Sequence, residues 1–350
     1  SSMQTRREFI GKIAKGLCAA GLVSQWAPCK NSNVFQALAG EAHASVLSQV
    51  EARYYTKAAG KRVECRLCPW SCRLRDGERG RCRVRRNMGG TLYALVYGKP
   101  CIFHNMPSER TRLYHYLPRT GVFSIGTPGC NFGCEYCQSW VAAQSDPEDV
   151  STVDMSPEKV IDLTKKNKDL TFAFVNTEPV VCFEYALDIA RMAKEQGIKS
   201  LIITNGFIRK EPMKELCRSL TAVRVDFKGF TEKYYEDICH GQLRPVLDTM
   251  VLLKETGVWL ELVVLLLPTL NDAPQQIKEM CQWIRSHLGV DVPVHFSRFH
   301  PNYKLLNLPP TSVKSVETAR NIALETGLRY AYVGDLAGHE GENTYCPACK

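Results

Sequence analysis

The chain has 350 residues and 16 cysteines, and 45 Lys and Arg against 36 Asp and Glu give it a formal net charge of +9. With 45% hydrophobic and 23% charged residues it can form a large core, which excludes a disordered chain. No apolar run reaches the roughly 18 residues of a membrane-spanning helix.

The spacing of the cysteines is more informative than their number. Nine of them fall into three close groups, and short gaps of this kind indicate metal or iron–sulfur ligands in a reducing compartment. The other seven, including Cys239, are scattered and are expected to be small buried packing residues.

Residues 1–60 begin with a pattern typical of an export signal. Arg6 and Arg7 form a twin-arginine pair, a weakly apolar stretch follows at 13–23, and residues 37–39 could be a cleavage site. An amphipathic N-terminal helix that packs on the following domain is the alternative interpretation.

Residues 61–118 are predicted to form a small basic module with a complete set of metal ligands. Between residues 61 and 86, ten Lys and Arg stand against three Asp and Glu. The cysteines of this segment are Cys65, Cys68, Cys72 and Cys82. Four thiolates can bind zinc tetrahedrally or ligate an iron–sulfur cluster, and both possibilities stay open here. The arginines could offset the charge of such a site or attract an acidic partner, whereas the lack of interleaved aromatic residues argues against nucleic acid.

Residues 119–335 alternate short apolar runs with helical patterns. The predicted strands are 122–125, 171–175, 199–204, 222–227, 259–266, 294–299 and 330–333, and the predicted helices are 157–166, 180–196, 211–216, 245–255, 275–287 and 313–326. Repeated strand–helix units favour right-handed crossovers and a parallel sheet. We therefore predict an α/β fold built as a partial (β/α) barrel, with its chemistry on the loops after the strand C-termini.

A glycine-rich loop after the first of these strands carries Cys130, Cys134 and Cys137 with the spacing C-x3-C-x2-C. A [4Fe–4S] cluster normally takes four cysteines, so three would leave one iron open to bind a substrate directly. The glycines let the backbone wrap closely around such a cluster. A structural zinc knuckle, or a cluster completed by a remote cysteine, is the alternative.

This loop resembles the cluster loop of the radical S-adenosylmethionine (SAM) superfamily. In those enzymes the open iron chelates SAM, and reductive cleavage of SAM gives a 5′-deoxyadenosyl radical that abstracts hydrogen from a substrate. The resemblance implies that Cys130, Cys134 and Cys137 are catalytic cluster ligands and that Tyr136 contacts adenine.

Polar residues after later strands extend the resemblance. Glu178 matches the position that holds the SAM amino group, although the two glycines usual there are absent. Asn205, Asp226 and Lys228 lie in motifs similar to those of pyruvate formate-lyase activating enzymes, where the Asp and the Lys reach the ribose and carboxylate of SAM. Those activases carry an Asp where this chain has Ile203, so a ribose contact must come from elsewhere or be missing.

The sixth strand runs into the sequence His-Phe-Ser-Arg-Phe-His. Alternation along a strand places His295 and Ser297 on one face and Arg298 and His300 on the other. We expect Arg298 and His300 to face inward at the barrel mouth and to bind an anionic group of SAM or of the substrate. A purely structural role is the alternative for each histidine.

The motifs together resemble the AmmeMemoRadiSam-system radical SAM enzyme from about residue 60 to the end of the chain. That family is named for co-occurring Memo-type and Amme-type proteins, which the resemblance implies as partners. The tail at 336–350 contributes Cys346 and Cys349, which could be a redox pair or half of a shared site.

The sequence therefore predicts a radical SAM enzyme, oxidoreductase-like, whose substrate is not identified. A glycyl-radical-enzyme activase is the alternative enzyme, disfavoured by Ile203, and an iron–sulfur electron-transfer protein or zinc-binding adaptor is the non-enzyme alternative. We expect an electron donor such as flavodoxin or ferredoxin and no nucleic acid partner. We also expect action in the cytoplasm, because export would separate the enzyme from SAM and strong reductants.

Overall fold

The computed structural model describes residues 43–44, 47–167, 171–346 and 348–349, so the predicted export signal lies outside the described residues. The strands are β1 His43–Ala44, β2 Val50–Glu51, β3 Tyr55–Ala58, β4 Arg62–Cys65, β5 Arg73–Leu74, β6 Arg85–Met88, β7 Thr91–Ala94, β8 Ile102–Pro107, β9 Gly121–Gly126, β10 Ser151–Thr152, β11 Thr171–Phe174, β12 Lys199–Thr204, β13 Ala222–Asp226, β14 Trp259–Leu266, β15 Val294–Arg298 and β16 Ala331–Gly334. The α-helices are α1 Trp140–Ala143, α2 Pro157–Lys166, α3 Phe183–Glu195, α4 Lys210–Cys217, α5 Glu232–Tyr234, α6 Leu243–Thr256, α7 Pro274–Leu288 and α8 Val313–Glu325.

An eight-stranded sheet with the strand order β16-β15-β14-β13-β12-β11-β9-β8 forms the centre of the fold. Neighbouring strands from β9 to β16 pair in parallel, and β8 pairs antiparallel with β9. Helices connect the successive parallel strands, as right-handed crossovers require. The sheet runs from β8 at one edge to β16 at the other, so the predicted α/β fold with a partial (β/α) barrel is confirmed.

Most predicted elements of this sheet and its helices agree with the observed ones to within one or two residues. Helix α2 and strands β12 and β14 match residue for residue. Helix α3 begins later than predicted because Pro179–Cys182 forms a 3-10 turn before it. Among the described residues, no helix combines the length and apolar character needed to cross a membrane.

The two faces of the sheet bury different sets of residues. On one face Phe174 packs against Tyr185 of α3, with ring centroids 5.8 Å apart. The opposite, concave face carries a buried apolar cluster of Met106, Leu113, Val122, Ala173, Val175, Leu201, Ile203 and Ala222. The segment between β8 and β9 contributes Leu113 to this cluster. The Thr111 carbonyl of the same segment accepts a 2.6 Å hydrogen bond from Arg224 Nη1.

Two small antiparallel sheets, which the sequence did not predict, precede the barrel. Their strand orders are β2-β7-β6 and β3-β4-β5. Arg85 of β6 is buried and pairs with Glu184 of α3 through two hydrogen bonds of 2.9 and 3.0 Å. This ion pair fixes the first small sheet to the helical layer of the barrel.

Candidate active site

The cluster loop, residues 127–139, connects β9 to α1 and carries Cys130, Cys134 and Cys137. Gly129 in this loop has φ of +102°. A Cβ on Gly129 would come within 2.7 Å of a Val84 methyl and 2.9 Å of the Cys82 carbonyl oxygen. Only glycine suits this position, where the cluster loop packs directly against the segment of the N-terminal cysteines.

The three thiols of the cluster loop lie within electrostatic reach of one another. Burial, then Glu178 and the other cysteines, raises the pKa of Cys130 well above its ordinary value. Burial and Cys134 raise the pKa of Cys137 to about 11. A hydrogen bond with Cys239 lowers the pKa of Cys134, and the Lys228 ammonium lowers it further against the effect of burial.

These residues fit a [4Fe–4S] cluster in their donor chemistry. Thiolates are the cluster ligands that proteins provide, and Lys228 supplies a positive charge beside them. Burial disfavours the charged Lys228, but Asp226 and then Cys134 raise its pKa above the usual range, so it stays protonated. Within the part of the chain that the structure describes, no three Cys, His, Asp or Glu side chains are already gathered as a metal site. The fit therefore rests on ligand type, loop and charge.

Glu178 is buried after β11 and is held by three donors of the chain. Its Oε1 accepts hydrogen bonds from Val180 N at 3.0 Å and from Thr204 Oγ1 at 2.7 Å, and its Oε2 accepts one from Asn205 N at 2.8 Å. Burial raises the pKa of Glu178 to about 7 although these hydrogen bonds oppose the shift. Because a carboxylate offers about four acceptor positions, Glu178 retains capacity for an ammonium group. Its contact with the SAM amino group stays a prediction.

Asn205 fastens the cluster loop to the end of β12. Its Nδ2 donates to Asn131 Oδ1 at 2.8 Å and lies 3.8 Å from Cys130 Sγ, while its Oδ1 accepts from Phe207 N at 2.9 Å. Asn131 in turn donates to the Phe207 carbonyl at 2.8 Å. The sequence analysis missed Asn131, whose place between two cysteines of the loop was the available signal.

Asp226 lies between two cations at the end of β13. Its Oδ1 accepts hydrogen bonds from Arg224 Nε at 3.1 Å and Nη2 at 2.8 Å, and its Oδ2 is 3.5 Å from Lys228 Nζ. Burial alone would raise the pKa of Asp226, but Arg224 and Lys228 lower it below its ordinary value. Arg224 was not predicted, although its position two residues before Asp226 puts it on the same face of the strand.

Cys239 is a fourth thiol beside the cluster loop. It ends a π-helical turn, Tyr235–Cys239, in the loop system that follows β13. Its Sγ lies 3.6 Å from the hydroxyl of the buried Tyr136, and its carbonyl oxygen is 3.9 Å from Cys134 Sγ. Cys239 therefore does more than fill space, and its place in the loop that also carries Lys228 was the signal for this. The predicted contact of Tyr136 with adenine stays a prediction.

The concave face of β15 carries His295 and Ser297. His295 Nε2 is 2.8 Å from Glu261 Oε2, and both side chains are buried. The imidazole also stacks on Tyr332 of β16, with ring centroids 4.9 Å apart. The register aligns Glu261 with Arg224, so His295 lies on the same face as the polar residues of β13.

The expected inward orientation of Arg298 is therefore wrong, whereas that of His300, which lies beyond the strand, stays a prediction. The buried pair of His295 with Glu261 fixes which face of β15 is inward, and strand alternation then turns Arg298 away. Arg298 Nε donates to the Thr311 carbonyl at 2.8 Å, and His300 is exposed just after the strand. Their binding of an anionic group stays a prediction.

The four N-terminal cysteines meet around one cavity. Cys65, Cys68, Cys72 and Cys82 line it together with Trp70 and Arg85. Burial raises the pKa of Cys82 to about 12. Burial also raises the pKa of Cys68, and the neighbouring Cys65 and Cys82 raise it further. The four cysteines therefore line the same cavity without being gathered as a metal site, and their binding of a metal stays a prediction. Cys346 and Cys349 lie exposed at the other end of the chain.

Much of the basic charge around this cavity is already paired. Arg85 is bound by Glu184, Arg79 donates to Glu148 at 2.8 Å, and the Arg81 guanidinium lies 3.9 Å above the Trp70 ring. These three arginines thus form ion pairs with carboxylates of the protein or stack on one of its aromatic rings.

Comparison with known proteins agrees with this geometry. The model of the Radical SAM superfamily matches residues 124–284. The chain is 41% identical over 299 residues to the uncharacterized protein MJ0808 of Methanocaldococcus jannaschii, and the match covers 85% of this chain and 89% of that protein.

Two solved structures match parts of the chain. A radical SAM methyltransferase from Sphaerobacter thermophilus matches with a TM-score of 0.51 and 14% identity over 62% of this chain and 67% of that one. A domain of a pyruvate-formate lyase-activating enzyme from Bacteroides vulgatus matches with a TM-score of 0.42 and 20% identity over 46% of this chain and 97% of that one. The chain therefore contains a radical SAM superfamily domain and belongs to one family with the archaeal protein MJ0808.

Proposed function

We propose that this protein is an enzyme that cleaves SAM reductively and abstracts hydrogen from a further substrate. When bound to Cys130, Cys134 and Cys137, a [4Fe–4S] cluster supplies the iron that chelates SAM and the electron that cleaves it to methionine and a 5′-deoxyadenosyl radical. The observation that carries the proposal is that Asn205 joins the cluster loop to Glu178. Its Nδ2 lies 3.8 Å from Cys130 Sγ and its backbone N–H donates to Glu178, while Lys228 binds Asp226 at the end of the next strand.

The residues around the thiols bind and orient SAM. Lys228, kept protonated by Asp226, supplies positive charge next to the thiolates and to the carboxylate of SAM. Glu178 accepts the amino group of SAM with its remaining acceptor position, and Asn205 holds the loop through Asn131. These groups are preorganised by hydrogen bonds within the chain, so little reordering accompanies binding.

The finer proposal is an AmmeMemoRadiSam-system enzyme that acts in the cytoplasm with Memo-type and Amme-type partners and an acidic electron donor such as flavodoxin. The sequence motifs support this choice over a glycyl-radical-enzyme activase. Ile203, which replaces the activase Asp, is 7% exposed within the apolar cluster of the concave face. A ribose contact of the activase kind is therefore missing at this position.

The test is a SAM cleavage assay on the anaerobically reconstituted and reduced enzyme. We expect 5′-deoxyadenosine and methionine in equal amounts. The variant with Cys130, Cys134 and Cys137 replaced by Ala should release neither, whereas the control Cys217→Ala should behave as the wild type. A fully loaded wild-type enzyme that binds a cluster but releases no 5′-deoxyadenosine would support the electron-transfer alternative instead.

The second metal site is also a proposal. Four thiols that line one cavity support the binding of zinc or an iron–sulfur cluster by Cys65, Cys68, Cys72 and Cys82.

A further inference from the structure

We infer that Cys65, Cys68, Cys72 and Cys82 bind a single zinc ion, and that this zinc knuckle holds the cluster loop in place. The metal assignment stands on the N-terminal cysteines alone. The second half, the effect on the cluster loop, rests on the proposed function.

The first step concerns how the chain presents the four thiols. Cys65 ends β4, Cys68 and Cys72 lie in the turn before β5, and Cys82 precedes β6. Cys65 N donates to the Cys72 carbonyl at 2.9 Å, which closes this turn. A Cβ on Gly80 would lie 3.6 Å from Cys72 Sγ and 3.7 Å from Cys82 Sγ, so two of the thiols flank one glycine.

The second step concerns the cations beside the sulfurs. Arg81 and Arg85 line the same cavity as the four thiols. Arg85 is buried and paired with Glu184, and the Arg81 guanidinium lies 3.9 Å above the Trp70 ring. Four metal-bound thiolates carry a net negative charge, which neighbouring cations offset, so this lining suits metal-bound sulfur.

The third step distinguishes a single ion from a cluster. The cavity that the four cysteines line together with Trp70, Arg85 and other residues is about 20 Å³, which is room for one or two water-sized spheres. Leu67, Val180 and Val181 close its sides with apolar groups. A cubane of four irons and four sulfides needs several times this space, whereas zinc takes four thiolates at about 2.3 Å each.

The fourth step connects the zinc knuckle to the cluster loop. Trp70 Nε1 donates to the Asn131 carbonyl at 2.7 Å, and the Trp70 ring packs on Phe207 at 5.1 Å. The Cys82 carbonyl sits where a side chain on Gly129 would have to go. On the far side, Arg209 N donates to the Leu67 carbonyl at 3.0 Å. The knuckle therefore supports residues on both sides of Cys130.

The metal assignment is tested by metal analysis of the full chain, purified anaerobically from cells supplied with both metals. We expect about one zinc and about four irons per chain. The Cys130/Cys134/Cys137→Ala variant should keep zinc and lose iron, and Cys68→Ala with Cys82→Ala should lose zinc.

Cobalt replacing zinc in the wild-type chain should show the d–d bands of tetrahedral thiolate ligation, which keeps the test valid if the cysteine variants misfold. About eight irons without zinc, or four irons without zinc, would overturn the assignment.

The effect on the loop is tested with Trp70→Phe, which removes the indole N–H donor and keeps an aromatic ring at this position. We expect unchanged zinc, an altered EPR spectrum of the reduced cluster and iron that is lost several-fold faster to a chelator. Trp283→Phe on α7 is the matched control and should leave both signals unchanged. A wild-type EPR spectrum and iron retention in Trp70→Phe would overturn the role of the knuckle in holding the loop. Failure of SAM cleavage with both metals present would count against the proposed function alone.

Discussion

At the scale of single residues, Glu261 of β14 joins the concave face to the segment between β8 and β9. It is fully buried and accepts hydrogen bonds from the backbone N–H groups of Tyr114 and His115 at 3.1 and 3.0 Å. Two side chains also contact its carboxylate: Trp259 Nε1 donates to Oε1 at 2.9 Å, and His295 Nε2 lies 2.8 Å from Oε2.

Glu261→Ala should therefore lower the free energy of unfolding by about 3 kcal/mol, because it leaves several buried donors without an acceptor. Urea-induced unfolding followed by circular dichroism measures the change. Glu317→Ala, which removes the half-exposed acceptor of His339, is the matched control and should cost less than about 1 kcal/mol. Equal losses for the two variants would contradict the importance given to Glu261.

His295 gives the fold a dependence on acidic pH. Burial lowers the pKa of His295, and Arg112 and Arg224 lower it further, although Glu261 opposes the shift. Below its unfolded pKa of about 6.5, the unfolded chain binds a proton that folded His295 does not, so stability is lost as the pH falls.

We expect His295→Gln, which keeps a donor for Glu261, to reduce this loss between about pH 6.5 and pH 5, by up to about 1.4 kcal/mol per pH unit. Urea unfolding at a series of pH values measures the slope. A slope identical to that of the wild type would show that His295 does not carry the effect.

Residue spacing was sufficient to predict the thiols of the cluster loop, but the residues that contact the predicted site residues could not be found in this way. The three cysteines lie in one short loop, so their spacing is a local signal. Asn131, Arg224 and Cys239 gain their roles from contacts made after folding, such as the bond of Asn205 to Asn131 across 74 positions. The orientation of β15 likewise depends on Glu261, a residue of another strand.

At the scale of elements, the buried Arg85–Glu184 pair joins β6 to α3. The side chains of this pair are 2% and 5% exposed, compared with 21% and 43% for the pair of Arg79 with Glu148. The two ion pairs thus have similar chemistry but different burial.

Arg85→Ala should lower the free energy of unfolding by about 3 to 5 kcal/mol, because it leaves Glu184 as an uncompensated buried charge. Arg79→Ala is the control and should cost less than about 1 kcal/mol, since water screens the exposed pair. Denaturant unfolding of both variants measures the difference. A loss below 1 kcal/mol for Arg85→Ala would show that the contact between β6 and α3 is dispensable.

Elements of the barrel were predictable because their periodicity is strong. The buried parallel strand β14 is a nearly continuous apolar run, and β12 contains three consecutive apolar residues. The short N-terminal strands were not predicted. Arg62–Cys65 alternates charged with buried residues over only four positions, and the buried residues of Arg85–Met88 are the polar Arg85 and Asn87. Four residues are too few for the alternation of a strand to be recognised in a segment rich in charged residues and cysteines.

At the scale of the whole molecule, the N-terminal sheets and the barrel form one functional arrangement. The segment of the N-terminal cysteines contacts the cluster loop through Trp70 and through the close approach of Cys82 to Gly129. The same segment carries exposed arginines, including Arg62 and Arg75. An acidic electron donor that docks on this segment would approach the cluster from the side of the knuckle.

Replacing Arg62 and Arg75 by Glu should therefore slow reduction of the cluster by reduced flavodoxin about 10-fold at low salt, because electrostatic steering sets the encounter rate. The matched control replaces the exposed Lys278 and Lys314 of α7 and α8 by Glu, which changes the net charge by the same amount on a different surface. Stopped-flow reduction at about 0.01 M and about 1 M salt measures the rates. The difference between the two double variants should shrink at high salt, where the Debye length falls from about 30 to about 3 Å. Equal rates at low salt would mean that net charge alone attracts the donor, and that it docks elsewhere than on the N-terminal segment.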